Sequence, residues 1–164
     1  RYSQKLQGDD MKHQRQKLNE CFPTVLAMLL DKPAAEIRRA LLGKKLAKES
    51  WSALTCNSRT ESAKILRDNV AKFLARRLPW LSPNSFSAAP SLDAIAQGSA
   101  APTFAGRGAV TIRYRHARHI VAFDRGTIYD PAQPAPIDSA EFLRQINNAD
   151  ARIENIYSEP RKEN

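Results

Sequence analysis

The sequence changes its periodicity near Gly106, and this change limits the possible folds. Before it, apolar residues recur at helical spacing in three stretches. After it come short runs rich in β-branched and aromatic residues, namely "GRGAVTIRY", "HIVAFD" and "TIYDP". Helices followed by strands are typical of an α+β fold rather than of alternating βαβ units. We therefore expect N-terminal helices packed on a C-terminal antiparallel sheet.

The first helix is expected to begin at or next to Cys21. Pro23 fits a helix only in its first turn, where the N–H that proline lacks would have no partner anyway. Four apolar side chains then predict a buried stripe: Val25, Leu26, Leu29 and Leu30. The sequence thus predicts one of its two cysteines at the mouth of an apolar helix.

Two further helices are predicted before the change in periodicity. One follows Pro33 and is closed by Gly43, and the other runs from about residue 61 to residue 78. The segment "LPWLSPNSFSAAPS" is rich in Pro and Ser and predicts a surface connection, with a short helix over residues 92–97 after it.

The last third of the chain is predicted to form an antiparallel meander with one helix. The segment "DRG" is expected to turn between two of the strands. "DSAEFLRQINN" predicts a helix N-capped by Asp138 or Ser139, and "ARIENIYSE" predicts a final strand.

The length of 164 residues predicts a single domain over residues 1–164, with flexible ends at residues 1–13 and 159–164. No apolar run is long enough to span a membrane. The formal charge of +9 favours an acidic partner, but the basic residues form no dense tail, so nucleic acid is the less favoured one. We expect no cofactor, and three histidines without a C-x-x-C pair argue against a zinc site.

Cys21 is the first candidate for chemistry. The unpaired N–H groups and the dipole at a helix N-terminus favour negative charge, so a thiolate forms more readily there. That is a suitable position for a nucleophile. The alternative is a cysteine that serves as a small buried apolar residue, which is its commoner role.

His119 and Asp130 are candidate partners for that cysteine. His119 opens the strand "HIVAFD", and Asp130 ends "TIYDP". If the two strands pair across "DRG", both residues lie at the same end of the hairpin, where the carboxylate would orient the imidazole. The alternatives are a surface histidine in the basic hairpin "RYRHARH", which suits His116 better, and an ordinary turn aspartate before Pro131.

These residues together resemble a known family. A loop, a cysteine that starts an apolar helix with an "AML" run, and later "HIVAFDRGTIYDP" resemble the papain-like cysteine peptidase superfamily. The likeness is closest to the bacteriocin-processing-type peptidases and to the papain-fold glutamine deamidase toxins and effectors. It covers residues 14–31 and 106–131, and the chain order Cys, His, Asp matches that of the family.

The resemblance implies a role for each residue. Cys21 would be the nucleophile, His119 the base that activates it and then protonates the leaving nitrogen, and Asp130 the orienting acid. The family also places an oxyanion-binding glutamine six positions before the cysteine, where this chain has Arg15. Gln16 is therefore our first choice for that role and Gln14 the second.

The resemblance also implies a function. We expect a cysteine amide hydrolase, either a glutamine deamidase or a protease, acting on a protein substrate. The likeness to toxin domains and the polar start at Arg1 suggest the toxin or effector domain of a larger secreted bacterial protein, delivered into a target cell and acting in its cytosol. An acidic immunity or inhibitor protein would suit the charge of +9.

Two other functions remain open from the sequence. A basic ribonuclease could use His116 and His119 as acid and base, which explains the charge but leaves Cys21 without a role. A plain protein-interaction module would keep Cys21 in its core. A disulfide between Cys21 and Cys56 would block the proposed nucleophile, so we expect the two to be apart.

Overall fold

The computed structural model describes residues 10–17, 19–56, 59–81, 87–88 and 104–160. The elements follow one another as α1 (Cys21–Leu30), α2 (Ala34–Leu42), α3 (Trp51–Cys56), α4 (Glu61–Arg77), β1 (Ser87–Ala88), β2 (Arg107–Arg113), β3 (Arg118–Asp124), β4 (Thr127–Tyr129), β5 (Ile137–Asp138), α5 (Ser139–Asn148) and β6 (Arg152–Ser158). The strands form one sheet in the order β1-β6-β2-β3-β4-β5, and every neighbouring pair is antiparallel. The predicted α+β class, with helices before an antiparallel sheet, is confirmed.

Two hydrophobic clusters hold the helices to the sheet. The first joins α1–α4 to one face of β2 and β3, and α1 lies directly on β3. The second lies on the opposite face and is closed by α5 through Phe142 and Ile146. Alternation along β3 explains the division, because Ile120 and Ala122 belong to the first cluster while Val121 and Phe123 belong to the second.

The first helix has the predicted bounds. α1 begins at Cys21 and ends at Leu30, and Pro23 lies in its first turn. The chain leaves the helix through Asp31, which is left-handed (φ 51°) and whose N–H donates to the carbonyls of Ala27 and Met28. Val25, Leu26 and Leu29 of the predicted stripe are buried, whereas Leu30 is half-buried. All residues from Pro23 to Leu29 are buried, so the burial of α1 extends beyond one stripe.

The remaining predicted elements are present with small differences. α2 ends before Gly43 and α4 ends at Arg77. Of the two candidate caps for α5, the structure selects Asp138, whose Oδ1 accepts from Glu141 N at 2.9 Å. The predicted helix over residues 92–97 lies outside the described residues.

Three short elements were not predicted. α3 spans only six residues, and it is held by Trp51 and Leu54, which are buried in the first cluster. β1 and β5 have two residues each. Elements of this length are too short to show a period, so tertiary packing decides them.

The N-terminal segment (residues 10–17) has no regular secondary structure, yet it is anchored along the β3–β4 hairpin. Met11 is buried, and its N–H donates to the carboxylate of Asp124 at 3.3 Å. The Asp10 carboxylate binds Arg125 at 2.6 Å, and His13 Nε2 lies 2.7 Å from the carbonyl of Gln133. Residues 10–13, which the sequence assigned to a flexible end, thus contact the body of the protein.

Within the described ranges, none of the helices has the length and hydropathy that crossing a membrane requires.

Candidate active site

Cys21 lies at the N-terminus of α1, half-buried against the first cluster. Glu20 is the N-cap residue, but its side chain does not cap the helix. Instead both of its carboxylate oxygens accept from Arg38 Nη1, at 3.0 and 2.8 Å. The first turn contains no acidic residue. The positive end of the helix dipole is therefore left without a side-chain cap at Cys21, an environment that stabilises negative charge.

The β3–β4 hairpin brings His119 and Asp130 together. Its turn consists of Arg125 and Gly126, both with positive φ (50° and 83°), and β3 pairs with β4 directly across it. His119 Nε2 lies 2.6 Å from Asp130 Oδ1, and each side chain is only 15% exposed. The same oxygen accepts from Ala132 N at 2.9 Å, which fixes the carboxylate. The predicted proximity of the two residues is confirmed.

The His119 ring lies where the two hydrophobic clusters meet the end of the hairpin. Alternation along β3 places it on the side of Val121 and Phe123, and its neighbour Tyr114 packs against that second cluster, while Cys21 contacts the first. β4 ends at Tyr129 and does not reach His119, so the ring lies beyond the paired part of this hairpin. The hydrogen bond to Asp130 sets its orientation there.

The electrostatics of His119 reflect both neighbours. Burial disfavours the charged ring and lowers its pKa, but hydrogen bonds and charge interactions with Asp130 and Cys21 together outweigh burial and raise the pKa of His119 to about 9. Because Nε2 binds Asp130, Nδ1 is the ring nitrogen left for the Cys21 thiol. The two neighbours thus favour the charged form of the His119 imidazole.

Tyr114 is a further member of this cluster that the sequence did not single out. Its ring centroid lies 6.4 Å from that of His119. Burial raises the pKa of the Tyr114 phenol, and the nearby Asp130 carboxylate raises it further. The only signal in the sequence was its place at the end of "GRGAVTIRY", directly before the turn that leads to His119.

The two glutamines differ in what their side chains do. The amide of Gln14 bridges the connection between α1 and α2, because Nε2 donates to the carbonyl of Lys32 at 2.8 Å and Oε1 accepts from Ala34 N at 3.2 Å. Gln16 N donates to the carbonyl of Pro131 at 2.8 Å, next to Asp130. The buried Oε1 of Gln16 has no hydrogen-bond partner among the described residues. Both polar atoms of the Gln14 amide are thus engaged, whereas Gln16 Oε1 is not.

The basic hairpin around His116 has a different character. His116 is exposed in the turn between β2 and β3. Glu154 on the neighbouring strand β6 binds Arg113 Nε at 2.5 Å and Arg118 Nε at 3.4 Å. Two of the arginines that a phosphate site would need are therefore paired with this carboxylate.

Cys56 is exposed at the end of α3, and neither it nor Cys21 is in a disulfide, as predicted. The described residues contain no group of three His, Cys, Asp or Glu side chains that could hold a metal ion. The side chains gathered at the site are a thiol, an imidazole and a carboxylate.

Compared with models of known protein families, with curated proteins and with solved structures, the chain matches none of them.

Proposed function

We propose that this chain is a papain-like cysteine hydrolase that cleaves amide bonds through a triad of Cys21, His119 and Asp130. One observation carries the proposal: the imidazole of His119 lies 2.6 Å from the Asp130 carboxylate and close enough to the Cys21 thiol for that group to raise its pKa. A nucleophile, its base and a group that orients the base are what acyl transfer to a thiol requires. Their placement, on a helix N-terminus packed against an antiparallel sheet, supports the papain-like assignment.

The proposed reaction runs through an acyl-enzyme. His119 Nδ1 takes the proton of the Cys21 thiol, and the thiolate attacks the amide carbonyl carbon. The tetrahedral intermediate collapses when the imidazolium gives that proton to the leaving nitrogen, so that ammonia or an amine departs. Water, deprotonated by His119, then attacks the thioester, and the returning proton restores the thiol.

The oxyanion of the intermediate needs hydrogen-bond donors. The N–H of Cys21 is one of the first N–H groups of α1, which have no acceptor within the helix. We assign the second donor to the side-chain amide of Gln16, since the Gln14 amide is engaged with Lys32 and Ala34. Two such donors stabilise the charge that develops on the carbonyl oxygen.

The substrate is proposed to be a protein, attacked at a glutamine carboxamide or at a peptide bond. By its resemblance to delivered toxins and effectors, we further propose that the chain is such a domain of a larger secreted protein and acts in the cytosol of a target cell. An acidic immunity or inhibitor protein would suit residues 34–81, where eleven Lys and Arg outnumber four Asp and Glu.

A ribonuclease that uses His116 and His119 is the weaker proposal. His119 is bound to Asp130, His116 is exposed, and Glu154 pairs with Arg113 and Arg118. That reaction would give Cys21 no role. It would gain support if a Cys21→Ala variant kept the toxicity or activity of the protein.

The proposed function is tested by the rate at which iodoacetamide alkylates Cys21 in the native protein. Cys56, which is exposed, serves as the internal reference, and peptide mapping assigns each label. We expect Cys21 to react faster than Cys56 near neutral pH, and His119→Ala to abolish this advantage. His116→Ala, the matched control, should leave it intact. A Cys21 that reacts no faster than Cys56 would overturn the proposal.

The same variants separate the two reactions that the triad could perform. Incubation with candidate proteins, followed by mass spectrometry, distinguishes conversion of a glutamine to glutamate from cleavage of the chain. Cys21→Ala should abolish whichever product is found.

A further inference from the structure

Two exposed cations, Lys17 and Arg115, lie on the segments that lead to Cys21 and His119. Lys17 lies three residues before the N-cap of α1, and its carbonyl accepts from Glu20 N at 3.1 Å. Arg115 lies in the turn before β3, which is closed by a hydrogen bond from Tyr114 N to the carbonyl of Ala117 at 2.8 Å. Both side chains are exposed, and neither has an ion-pair partner in the described part of the chain.

The carboxylates next to the catalytic pair are already neutralised. Glu20 directly precedes Cys21 in the chain, and it is bound to Arg38 at 2.8 Å. Asp130 is bound to His119 at 2.6 Å. Neither carboxylate is therefore free to repel an anion that approaches the site.

The third nearby carboxylate is engaged as well. Glu154 pairs with both Arg113, at the end of β2, and Arg118, at the start of β3. The side chain of Arg118 is still 68% exposed. Residues 11–19 and 106–123, which lead into the two catalytic residues, contain no Asp or Glu. The potential over the mouth of the site is consequently positive.

We propose that the substrate segment which enters this site is acidic: the attacked glutamine or peptide bond is flanked by Asp or Glu side chains, which Lys17 and Arg115 attract. This inference rests on the proposed function, because it takes the reacting group to be an amide of a protein. In a protein substrate, Asp and Glu are the side chains that carry negative charge. Complementary charge steers such a segment to the site and fixes its register.

The inference is tested with two alkylating reagents that differ in charge. Iodoacetate is an anion and iodoacetamide is neutral, while both transfer their carbon to the same sulfur and release iodide. The rate constant of iodoacetate at Cys21, divided by that of iodoacetamide, therefore measures the local potential separately from the reactivity of the thiol. The ratio is compared between the unaltered protein and a Lys17→Gln/Arg115→Gln variant at low salt.

We expect the double substitution to lower this ratio by at least ~3-fold, because the potential that concentrates the anion is lost. Added salt should lower the ratio in the unaltered protein as well. Lys32→Gln is the matched control. Lys32 lies past the far end of the ten-residue α1, about 15 Å from Cys21, so its substitution should lower the ratio less than the double substitution does.

The outcomes separate this inference from the proposed function. If Cys21 reacts rapidly with iodoacetamide but the double substitution leaves the ratio unchanged, the acidic preference is wrong and the hydrolase proposal stands. If Cys21 is inert toward both reagents, the hydrolase proposal fails, and this inference fails with it.

A second measurement uses peptides and RNA. Ammonia release or cleavage is followed for glutamine peptides flanked by Glu and for the same peptides flanked by Ser. We expect the Glu-flanked peptides to have the higher kcat/KM, and the double substitution to remove the difference. Equal values for the two series would overturn the inference. The inference would also be overturned if an RNA of matched charge inhibited the reaction more strongly than the Glu-flanked product does. Lys17 and Arg115 would then belong to a nucleic-acid site.

Discussion

The charge state of His119 links the geometry of the site to pH. Its pKa of about 9 lies above the ordinary value of 6.5, because the contributions of Asp130 and Cys21 exceed the effect of burial. In the proposed reaction, the imidazolium that donates a proton to the leaving nitrogen is therefore retained at neutral pH and lost as the pH rises through about 9. Hydrolysis should decline over the same range.

Replacement of Asp130 by Asn tests this account. The amide oxygen can still accept a hydrogen bond from Nε2, but the negative charge that favours the imidazolium is gone. We expect Asp130→Asn to lower the pKa of His119 from about 9, as read from the NMR titration of its ring protons. Asp138→Asn, on the N-cap of α5, is the matched control and should leave the titration unchanged. An unaltered titration in Asp130→Asn would mean that Asp130 does not hold the charge.

The same raised pKa has a consequence for stability. A group whose pKa is higher in the folded than in the unfolded protein stabilises the fold fully below the unfolded value and loses this effect as the pH rises through the folded value. For His119 the window runs from 6.5 to about 9. The effect is at most about 3 kcal/mol for a shift of this size.

We therefore expect the free energy of unfolding to fall between these two pH values in the unaltered protein. In His119→Gln the fall should be smaller, because Gln does not titrate. Urea unfolding at both ends of the window measures the difference, with His116→Gln as the control. An equal pH dependence in His119→Gln and the unaltered protein would contradict the linkage.

At the scale of single elements, α5 depends on its cap. Asp138 Oδ1 accepts from Glu141 N at 2.9 Å, whereas Ser139 N is bound to the carbonyl of Gly126 through the backbone. Asp138→Ala should lower the free energy of unfolding by about 1 kcal/mol, and Ser139→Ala should change it by less. Urea denaturation compares the two variants. Equal effects would show that the cap is shared.

The strand β2 passes very close to its neighbours at Gly108. A Cβ at this position would meet the carbonyl oxygen of Tyr157 and would lie 2.6 Å from Phe123 Cζ. Because the oxygen belongs to the backbone of β6, it cannot move aside without breaking the pairing of the strands. We expect Gly108→Ala to lower the free energy of unfolding by about 3 kcal/mol.

Gly106 provides the matched comparison for this substitution. A Cβ at Gly106 meets nothing within 4 Å. Gly106→Ala should therefore be nearly neutral in urea unfolding, and a loss comparable to that of Gly108→Ala would show that close approach is not the cause.

At the scale of the whole molecule, Asp124 ties the N-terminal segment to the sheet. Its carboxylate is 5% exposed and lies near Arg107 (4.0 Å) and Arg125 (3.3 Å), while it also accepts from Met11 N. Since Gln16 lies on the same segment, this contact also supports the proposed oxyanion donor.

Loss of the Asp124 carboxylate should lower the free energy of unfolding and loosen the N-terminal segment (residues 10–17). Asp124→Ala leaves the buried N–H of Met11 without its acceptor, which costs about 1–3 kcal/mol. We expect the rate of amide hydrogen exchange to rise more in residues 10–17 than in β2. Urea unfolding measures the accompanying loss of stability. Unchanged exchange in that segment would contradict the role of Asp124 as its anchor. Asp10→Ala, which removes an exposed pair with Arg125, is the milder comparison.

The net charge also belongs to the whole molecule. Residues 34–81 contribute eleven basic and four acidic side chains, so most of the formal charge of +9 lies on α2, α3, α4 and their connections. Along the sequence these residues appear scattered, and no dense tail stands out. The fold packs these helices on one face of the sheet, which supports the proposal of an acidic partner protein.

The sequence by itself determined the local features of this protein. Pro23 and the apolar stripe fixed the start of α1 at Cys21, because proline is tolerated only in the first turn. The turn at Gly126 paired two strands of alternating residues, and this pairing put His119 beside Asp130. Each of these outcomes depends on residues close in the chain, so periodicity and turn chemistry suffice to predict it.

The tertiary structure alone decided the contacts between distant residues. It brought His119 close to Cys21, which packs against the first cluster, and it engaged the Gln14 amide between α1 and α2. It also placed Tyr114 at the site. Such contacts depend on how α1 rests on the sheet. That packing is set by buried surface summed over the whole core, which no local pattern contains.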